Sequence, residues 1–374
     1  MNILIINWRD LKNPLYGGAE IHITKIAEHL AKKHNVFFLT SGYKGAKDES
    51  INNVYYIHIG NELLFNYFVT FKIKDLVKKK KIDLIIEDIN KVPFFTPLFV
   101  KIPVFVVVPH IFGKTIFKQT NFIFGTYVYL FEKPIKMVYK KSYFEVISNS
   151  TKEDLLKRGI DERKIKVIEC GIDKKFFSYN YQKKEYPQIC YVGRLKRYKS
   201  VHHLIKAFKK VKEQCKESVL YIVGMGDYEN ELKKLVKRLK IEDVIFTGYV
   251  SEDEKIKILQ ESWISVYPSY IEGWGIVNIE ANALGTPVIS SNVLGLKDSV
   301  KDGFSGLLYK YGNIEQLTEK ILSLLKNREK LKQMENDAKK WAKNFDWDKT
   351  NNLSESFIED FMIEFVKSKT IDNR

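Results

Sequence analysis

Short runs of Ile, Val and Leu recur along this chain, each followed by a segment whose apolar residues fall at helical spacing. An unbroken apolar run suits a strand buried on both faces, so the pattern reads as parallel strands alternating with helices. In the first half, strands are expected at residues 3–7, 36–40, 54–59, 82–87, 104–108, 146–148 and 165–168. Helices are expected at 19–33, 65–81 and 151–158, the last capped by Ser150 or Thr151. A second alternation places strands at 188–192, 219–223, 244–247, 264–267 and 288–290. Helices there fill 201–212, 229–239, 251–260 and the run from Ile276, with more from Ile314. The pattern predicts an α/β protein of two doubly wound, parallel-sheet Rossmann-like domains.

Composition shifts at FFSYNYQKKEYP, residues 176–187, which is polar, aromatic and without a clear period. The domains are accordingly set at 1–178 and 188–350, with a linker over 179–187. A last helix near 353–366 has no strand after it, so the segment 351–374 must dock on one domain or the other.

A chain of 374 residues can build two such cores, and 45% hydrophobic residues exclude a disordered protein. Cys170, Cys190 and Cys215 fit no disulfide or metal spacing, which points to a reducing compartment. The start, MNILIINW, reads as a buried strand with no charged leader or cleavage site, so no signal peptide is expected. No uninterrupted apolar run reaches the ~18 residues of a membrane span. The net charge of +16 predicts acidic company: nucleic acid, anionic lipid headgroups or phosphorylated substrates. The lysines are spread along the whole chain, which weakens the nucleic-acid reading.

The stretch SYIEGWGIVNIEANALGTP, residues 269–287, combines a glycine-broken loop with a helix that Gly285 stops and Pro287 keeps from resuming. Glycines let a ligand approach the backbone, and a helix start offers unpaired N–H groups and a positive dipole end. Such a site suits a diphosphate. Glu272 lies on the loop, and Glu280, about one turn into the helix, can accept hydrogen bonds from ribose hydroxyls. After the strand at 188–192 comes GRLKRYKS, where Gly193 frees the turn and Arg194 and Lys199 project from the carboxyl end of the strand. Two cations there can clamp a phosphate by charge and, for Arg, by paired hydrogen bonds. The nearby GMGDYEN has Glu229 where a dinucleotide fingerprint needs its third glycine, so a nicotinamide or flavin enzyme is not expected.

In the first half, Gly17-Gly18 sits in a strand–loop–helix unit that can present backbone to a ligand. His110 follows the strand 104–108 at its carboxyl end, where open α/β sheets bind ligands; a lone His elsewhere would be structural. Residues 111–143 are rich in Phe, Tyr and Lys, as core with snorkelling lysines or as a surface for a membrane or acceptor.

With these pieces assembled, the chain resembles the GT-B glycosyltransferases of retaining family 4, which use nucleotide-sugar donors and face two Rossmann-like domains across a cleft. The matching pieces are the Gly17-Gly18 loop, ISNSTKEDLLKRGIDERKIKVIECGID at 147–173, YVGRLKRYKS at 191–200, the GMGDYENEL turn and TGYVS at 247–251. They also include the Glu272…Glu280 pair, which is the family's E-x7-E signature, and SSNVLGLKDSVKDGFSGLLY at 290–309. The resemblance implies that Arg194 and Lys199 neutralise the donor diphosphate, and that backbone at Gly275, Ile276 and Val277 binds the phosphates, with Gly18 closing from the first domain. Gly193, Gly273 and Trp274 belong to the loops around the donor. It implies further that Glu280 holds the ribose, Glu272 contacts sugar hydroxyls, His110 lies at the reacting sugar, and Val250 in TGYVS receives the base. By the same similarity the final helix crosses back onto the first domain, which would carry the acceptor. Departures are Cys170 in place of an Asn, Asp298 in place of a Glu, and Glu87-Asp88 with Asn90 in place of a His-containing pattern.

The expected reaction moves a sugar from a nucleoside diphosphate to an acceptor hydroxyl with retention, in cell-surface polysaccharide, lipid-linked glycan or glycolipid synthesis. No DxD-type acid cluster is present, so no metal or other cofactor is expected beyond the nucleotide-sugar co-substrate. The expected partners are that donor, a glycan or lipid-linked acceptor and an anionic membrane surface, with no nucleic acid; the expected location is cytoplasmic, at the inner face of the membrane. The rivals are an epimerase, hydrolase or phosphorylase using the same donor clamp, and a basic nucleic-acid-binding protein.

Overall fold

The computed structural model describes residues 1–179 and 181–372. The chain forms two compact units, one of Met1–Gly171 with the chain from Trp347 onward, the other of Ile172–Asp346. Residues 172–187, divided by composition between the first domain and a linker, therefore go with the second unit, where the Tyr181 N–H donates to Gln260 Oε1 at 2.9 Å. The Trp263 indole N–H likewise donates to the Lys184 carbonyl at 2.8 Å.

The first unit is built on eight strands: β1 (Asn2–Ile6), β2 (Asn35–Ser41), β3 (Glu49–Ile51), β4 (Val54–Ile59), β5 (Leu84–Asp88), β6 (Val104–Val108), β7 (Phe144–Val146) and β8 (Ile165–Val167). Their order in the sheet is β3-β4-β2-β1-β5-β6-β7-β8, and every pair is parallel except β3 with β4. Every residue of β5 and β6 is buried, which is why these strands lack polar alternation. The edge strand β3 escapes sequence reading because it is three residues of ESI; its hairpin turn holds Asn52 and Asn53 at positive φ, 49° and 64°. Ser148, and neither Ser150 nor Thr151, caps the Asn149–Lys157 helix: its Oγ accepts from the Thr151 N–H at 3.2 Å. The aromatic stretch contains a helix at Phe122–Glu132, capped by Asn121.

The final helix, Trp347–Asp372, is longer than its apolar pattern suggests and packs on the first sheet. Phe357 and Phe361 lie 5.5 and 5.8 Å, ring to ring, from Phe105 on β6. Ser354 donates to Glu145 Oε1 at 2.9 Å, and Glu355 pairs with His29 at 2.9 Å and Lys33 at 2.8 Å.

The second unit carries six parallel strands: β9 (Gln188–Val192), β10 (Val219–Val223), β11 (Val244–Gly248), β12 (Ile264–Tyr267), β13 (Val288–Ser291) and β14 (Gly306–Tyr309). Their order is β11-β10-β9-β12-β13-β14. The order turns back between β9 and β12, and the loops leaving these two central strands emerge at their carboxyl ends. The Gly-bounded β14 was hidden in the segment expected to follow the E-x7-E stretch.

The first unit buries ionisable groups without neutralising them. Glu145 on β7 and His22 on the Gly18–Leu30 helix are fully buried, 3.5 Å apart. Burial pushes the Glu145 carboxyl up to about 8 and the His22 imidazole down to about 4. The Glu145 carboxyl ordinarily titrates near 4.5, so its stabilising share is complete below that value and is lost as pH rises toward 8. Glu145→Gln keeps an acceptor for Ser354 and should flatten that loss. Denaturant unfolding at about pH 5 and about pH 8 should show a smaller drop for the variant than for the wild type; an equal drop would put Glu145 outside the titration.

Candidate active site

Tyr191, buried at the end of β9, organises the first loop. Its hydroxyl donates to the Arg194 carbonyl at 3.0 Å, which turns the chain and leaves the Arg194 side chain exposed, with no ion pair among the described residues. The Gly193 N–H donates to the Val223 carbonyl at 3.0 Å and the Leu195 N–H to the Met225 carbonyl at 2.9 Å. The Gly224-Met225-Gly226 turn therefore lies directly on this loop. A Cβ at Gly224 would stand 2.2 Å from the Gly193 carbonyl oxygen, and one at Gly226 2.1 Å from that of Leu195. These glycines have a backbone-packing role, which explains the pair without a dinucleotide fingerprint.

The second loop follows β12. The Tyr270 N–H donates to the Tyr198 carbonyl at 2.8 Å, stitching the β12 loop to the β9 loop. Lys199 forms an ion pair with Glu272, whose Oε1 also accepts from Ser269 Oγ at 2.7 Å. Tyr191 titrates well above its usual range through burial, then through the nearby Glu272 carboxylate, with Arg194 acting the other way. Tyr267, whose ring centroid is 6.0 Å from that of Tyr191, is raised by burial and, more weakly, by Glu280. The Arg194 backbone is thus held by Tyr191, and Lys199 is tied to the β12 loop through Glu272.

The helix Ile276–Ala283 begins at Gly275, which has φ +84° and no side-chain cap. A side chain at 275 would be strained and would stand 2.7 Å from Leu296 Cδ2. The first backbone N–H groups, at Ile276 and Val277, therefore belong to an uncapped helix start. The carboxamide of Asn278 donates to Ser299 Oγ at 2.8 Å, fixing the helix from its buried side. Gly273 is half-buried, but the Trp274 indole is buried and packs 5.6 Å from Phe345, so that side chain belongs to the core and only its backbone borders the site.

Glu280 is buried, and its Oε2 pairs with Lys255 Nζ at 3.0 Å. Lys255 also sits 5.2 Å over the Phe176 ring. Sequence reading missed Lys255; the available signal was its place one turn into the helix that Ser251 caps directly after TGYVS. Val250 is half-buried in that connection, beside the exposed Tyr249. Asp298 is half-buried in the short Leu296–Ser299 helix.

Gly18 and His110 belong to the first unit. Gly18 is exposed at the first turn of its helix, where Glu20 turns back to accept from the Gly17 N–H at 2.7 Å. His110 is half-buried past the end of β6, its ring edge-on to Phe112 at 4.2 Å. Asp88, at the end of β5, is fully buried with neither oxygen hydrogen-bonded, and burial raises its carboxyl well above the usual range. Among the described residues no group of three or more His, Cys, Asp or Glu could hold a metal ion.

Comparison with known proteins matches residues 173–341 to the family of glycosyl transferases group 1 and residues 16–176 to glycosyltransferase family 4. An uncharacterized glycosyltransferase of Methanocaldococcus jannaschii is 28% identical over 375 residues, spanning 90% of this chain and 93% of the relative. A capsular polysaccharide biosynthesis glycosyltransferase, CapM, of Staphylococcus aureus is 29% identical over 180 residues, 46% of this chain and 47% of the relative. Among solved structures, sucrose-phosphate synthase from Thermosynechococcus elongatus has a TM-score of 0.81 at 20% identity, covering 97% of this chain and 99% of that one. Anabaena HepE, solved with UDP and glucose, has a TM-score of 0.75 at 18% identity, covering 96% and 100%. The fold is therefore GT-B, two parallel-sheet α/β domains. The chain belongs to the family 4, group 1 glycosyltransferases and is an enzyme of that class.

Gly275→Ala tests whether the helix start is a conformational requirement. It should cost about 1–3 kcal/mol in unfolding free energy from the positive φ alone, with further loss from the Leu296 contact. Unchanged denaturant stability would show that the loop re-forms without the left-handed residue.

Proposed function

We propose that the second unit binds a nucleoside-diphosphate sugar and that the enzyme transfers the sugar to an acceptor hydroxyl with retention of anomeric configuration. The observation that carries this reading is the stitching of the β9 and β12 loops, which bears Arg194 and the Lys199–Glu272 pair and leads into the uncapped helix start that carries Glu280. The Ile276 and Val277 N–H groups and the dipole would receive the diphosphate, with Arg194 and Lys199 balancing its charge. Lys255 holds one oxygen of Glu280 and leaves the other for a ribose hydroxyl. Val250 would border the base, and Glu272 would meet the sugar hydroxyls. Gly18 and His110 are the candidate site residues of the first unit.

In the transfer, the bond from the anomeric carbon to the β-phosphate oxygen breaks, and a bond to the acceptor oxygen forms on the same face. The acceptor proton passes to the departing phosphate oxygen. Negative charge grows on the leaving diphosphate, so the barrier falls mainly through electrostatic stabilisation by groups already in place. Two cations and a helix start supply this with no need for a metal. UDP- and GDP-sugars are the donors to test, UDP first, because HepE was solved with it. The acceptor is read as a glycan or lipid-linked glycan, in polysaccharide or glycolipid synthesis, presented at an anionic membrane surface that the enzyme meets peripherally.

Glu280→Ala should weaken nucleoside-diphosphate binding about tenfold to a hundredfold, as for a lost hydrogen bond to a charged group. Calorimetry showing wild-type affinity would remove Glu280 from the ribose site. Arg194→Ala with Lys199→Ala should lower turnover by about 10²–10³ while far-UV circular dichroism stays unchanged. Normal transfer by the double variant would end the phosphate-clamp assignment, and an inverted anomeric proton in the product's NMR spectrum would end the retaining one.

A further inference from the structure

The helix Phe65–Lys80 and the helix Phe122–Glu132 touch in the first unit where Asn66 Nδ2 donates to the Tyr127 hydroxyl at 2.6 Å. Leu63, just before the first helix, and Tyr67 and Phe71 on it follow one another at four-residue spacing, all exposed. On the second, Ile123 and Leu130 flank Tyr127 on one stripe, next to Phe122. Phe71, Phe122 and Ile123 are 78%, 76% and 79% exposed, values rare for large apolar side chains and here gathered on two touching helices.

The charge around this face is predominantly positive, with Asp75 the exposed acid on the first helix among its lysines. Residues 112–143 contain six lysines, all exposed, and one acid, Glu132. Glu132 is buried, accepts from the Phe112 and Gly113 N–H groups at 2.8 Å, and pairs with Arg158 at 3.1 Å, so its charge is spent inside the fold. The first helix ends in the run Lys78–Lys81. Among the described residues no helix is long and apolar enough to cross a membrane.

We infer that this two-helix face docks the first unit on an anionic lipid bilayer, Phe71, Phe122 and Ile123 entering the headgroup–acyl boundary while the lysines meet the phosphates. An apolar stripe with a basic rim and no spanning helix is the pattern of an in-plane membrane anchor. Simple lysine attraction would leave the aromatics without a role, and an apolar protein partner would leave the excess of positive charge unbalanced. The inference extends the membrane part of the proposed function. It is measured without donor or acceptor, so its failure would leave the donor-site assignment standing.

The test is co-sedimentation of the full chain with phosphatidylcholine vesicles with and without phosphatidylglycerol, at low and physiological salt. The wild type should bind the anionic vesicles at both salts, and Phe122→Ser with Ile123→Ser should reduce that binding about tenfold or more. Lys133→Ala with Lys136→Ala should weaken it, with the larger loss at low salt, where the lysine charge is least screened. Both pairs are on the surface, so thermal midpoints should not move. Wild-type binding by the Phe122/Ile123 variant, or none by the wild type, would overturn the inference. So would a wild-type dimer in size-exclusion chromatography that this variant abolishes, since the face would then belong to a second copy of the chain.

Discussion

In the second unit, backbone meets backbone where no side chain fits, and the site depends on that contact. A Cβ at Gly295, which has φ +82°, would stand 2.2 Å from the Glu272 carbonyl oxygen and 2.7 Å from that of Gly273. The β13 loop can therefore lie on the β12 loop only with glycine at 295. Gly224 and Gly226 do the same for the β10 and β9 loops. Close approach turns flexible connections into one packed layer at the carboxyl ends of β9 and β12. The rigid layer sets the direction of Glu272 and the start of the Ile276–Ala283 helix, so polar groups are aimed before any ligand arrives. Preorganisation of this kind avoids the entropy of ordering loops upon binding.

Charge on that layer is unequally committed. Lys199 is held by Glu272 and Lys255 by Glu280, whereas Arg194 is exposed, with no ion pair among the described residues. Glu272 and Glu280 are thus each oriented by a cation, as isolated charges in such surroundings would be costly. On the proposed reading an incoming diphosphate would add negative charge beside these pairs, where Arg194 and the helix start offer positive potential. Family membership as a glycosyltransferase agrees with that balance and sets aside the nucleic-acid and epimerase readings.

The first unit shows a different economy. Glu145, His22 and Asp88 lie in its interior with few or no partners, and burial moves each toward its neutral form. The C-terminal helix closes over this region through Ser354, Phe357 and Phe361. Its apolar side chains supply the packing that the buried polar groups do not.

By itself the sequence determined the α/β class and most strand positions, because buried parallel strands demand apolar runs, and it marked the loops in which packing demands glycine. Residues 54–59, 104–108, 188–192, 219–223 and 264–267 stand as read, since their burial leaves no alternative pattern. The three-residue edge strand β3 and Gly-bounded β14 were too short for periodicity to register. Lys255, Asn278 and the burial of Trp274 were decided only by tertiary structure. Each depends on which side chain meets Glu280, Ser299 or Phe345 from another segment, and spacing along the chain carries no such distance. The exposure of Phe122 and Ile123 was settled in the same way: FIFG reads equally well as core until neighbouring helices either cover it or leave it bare.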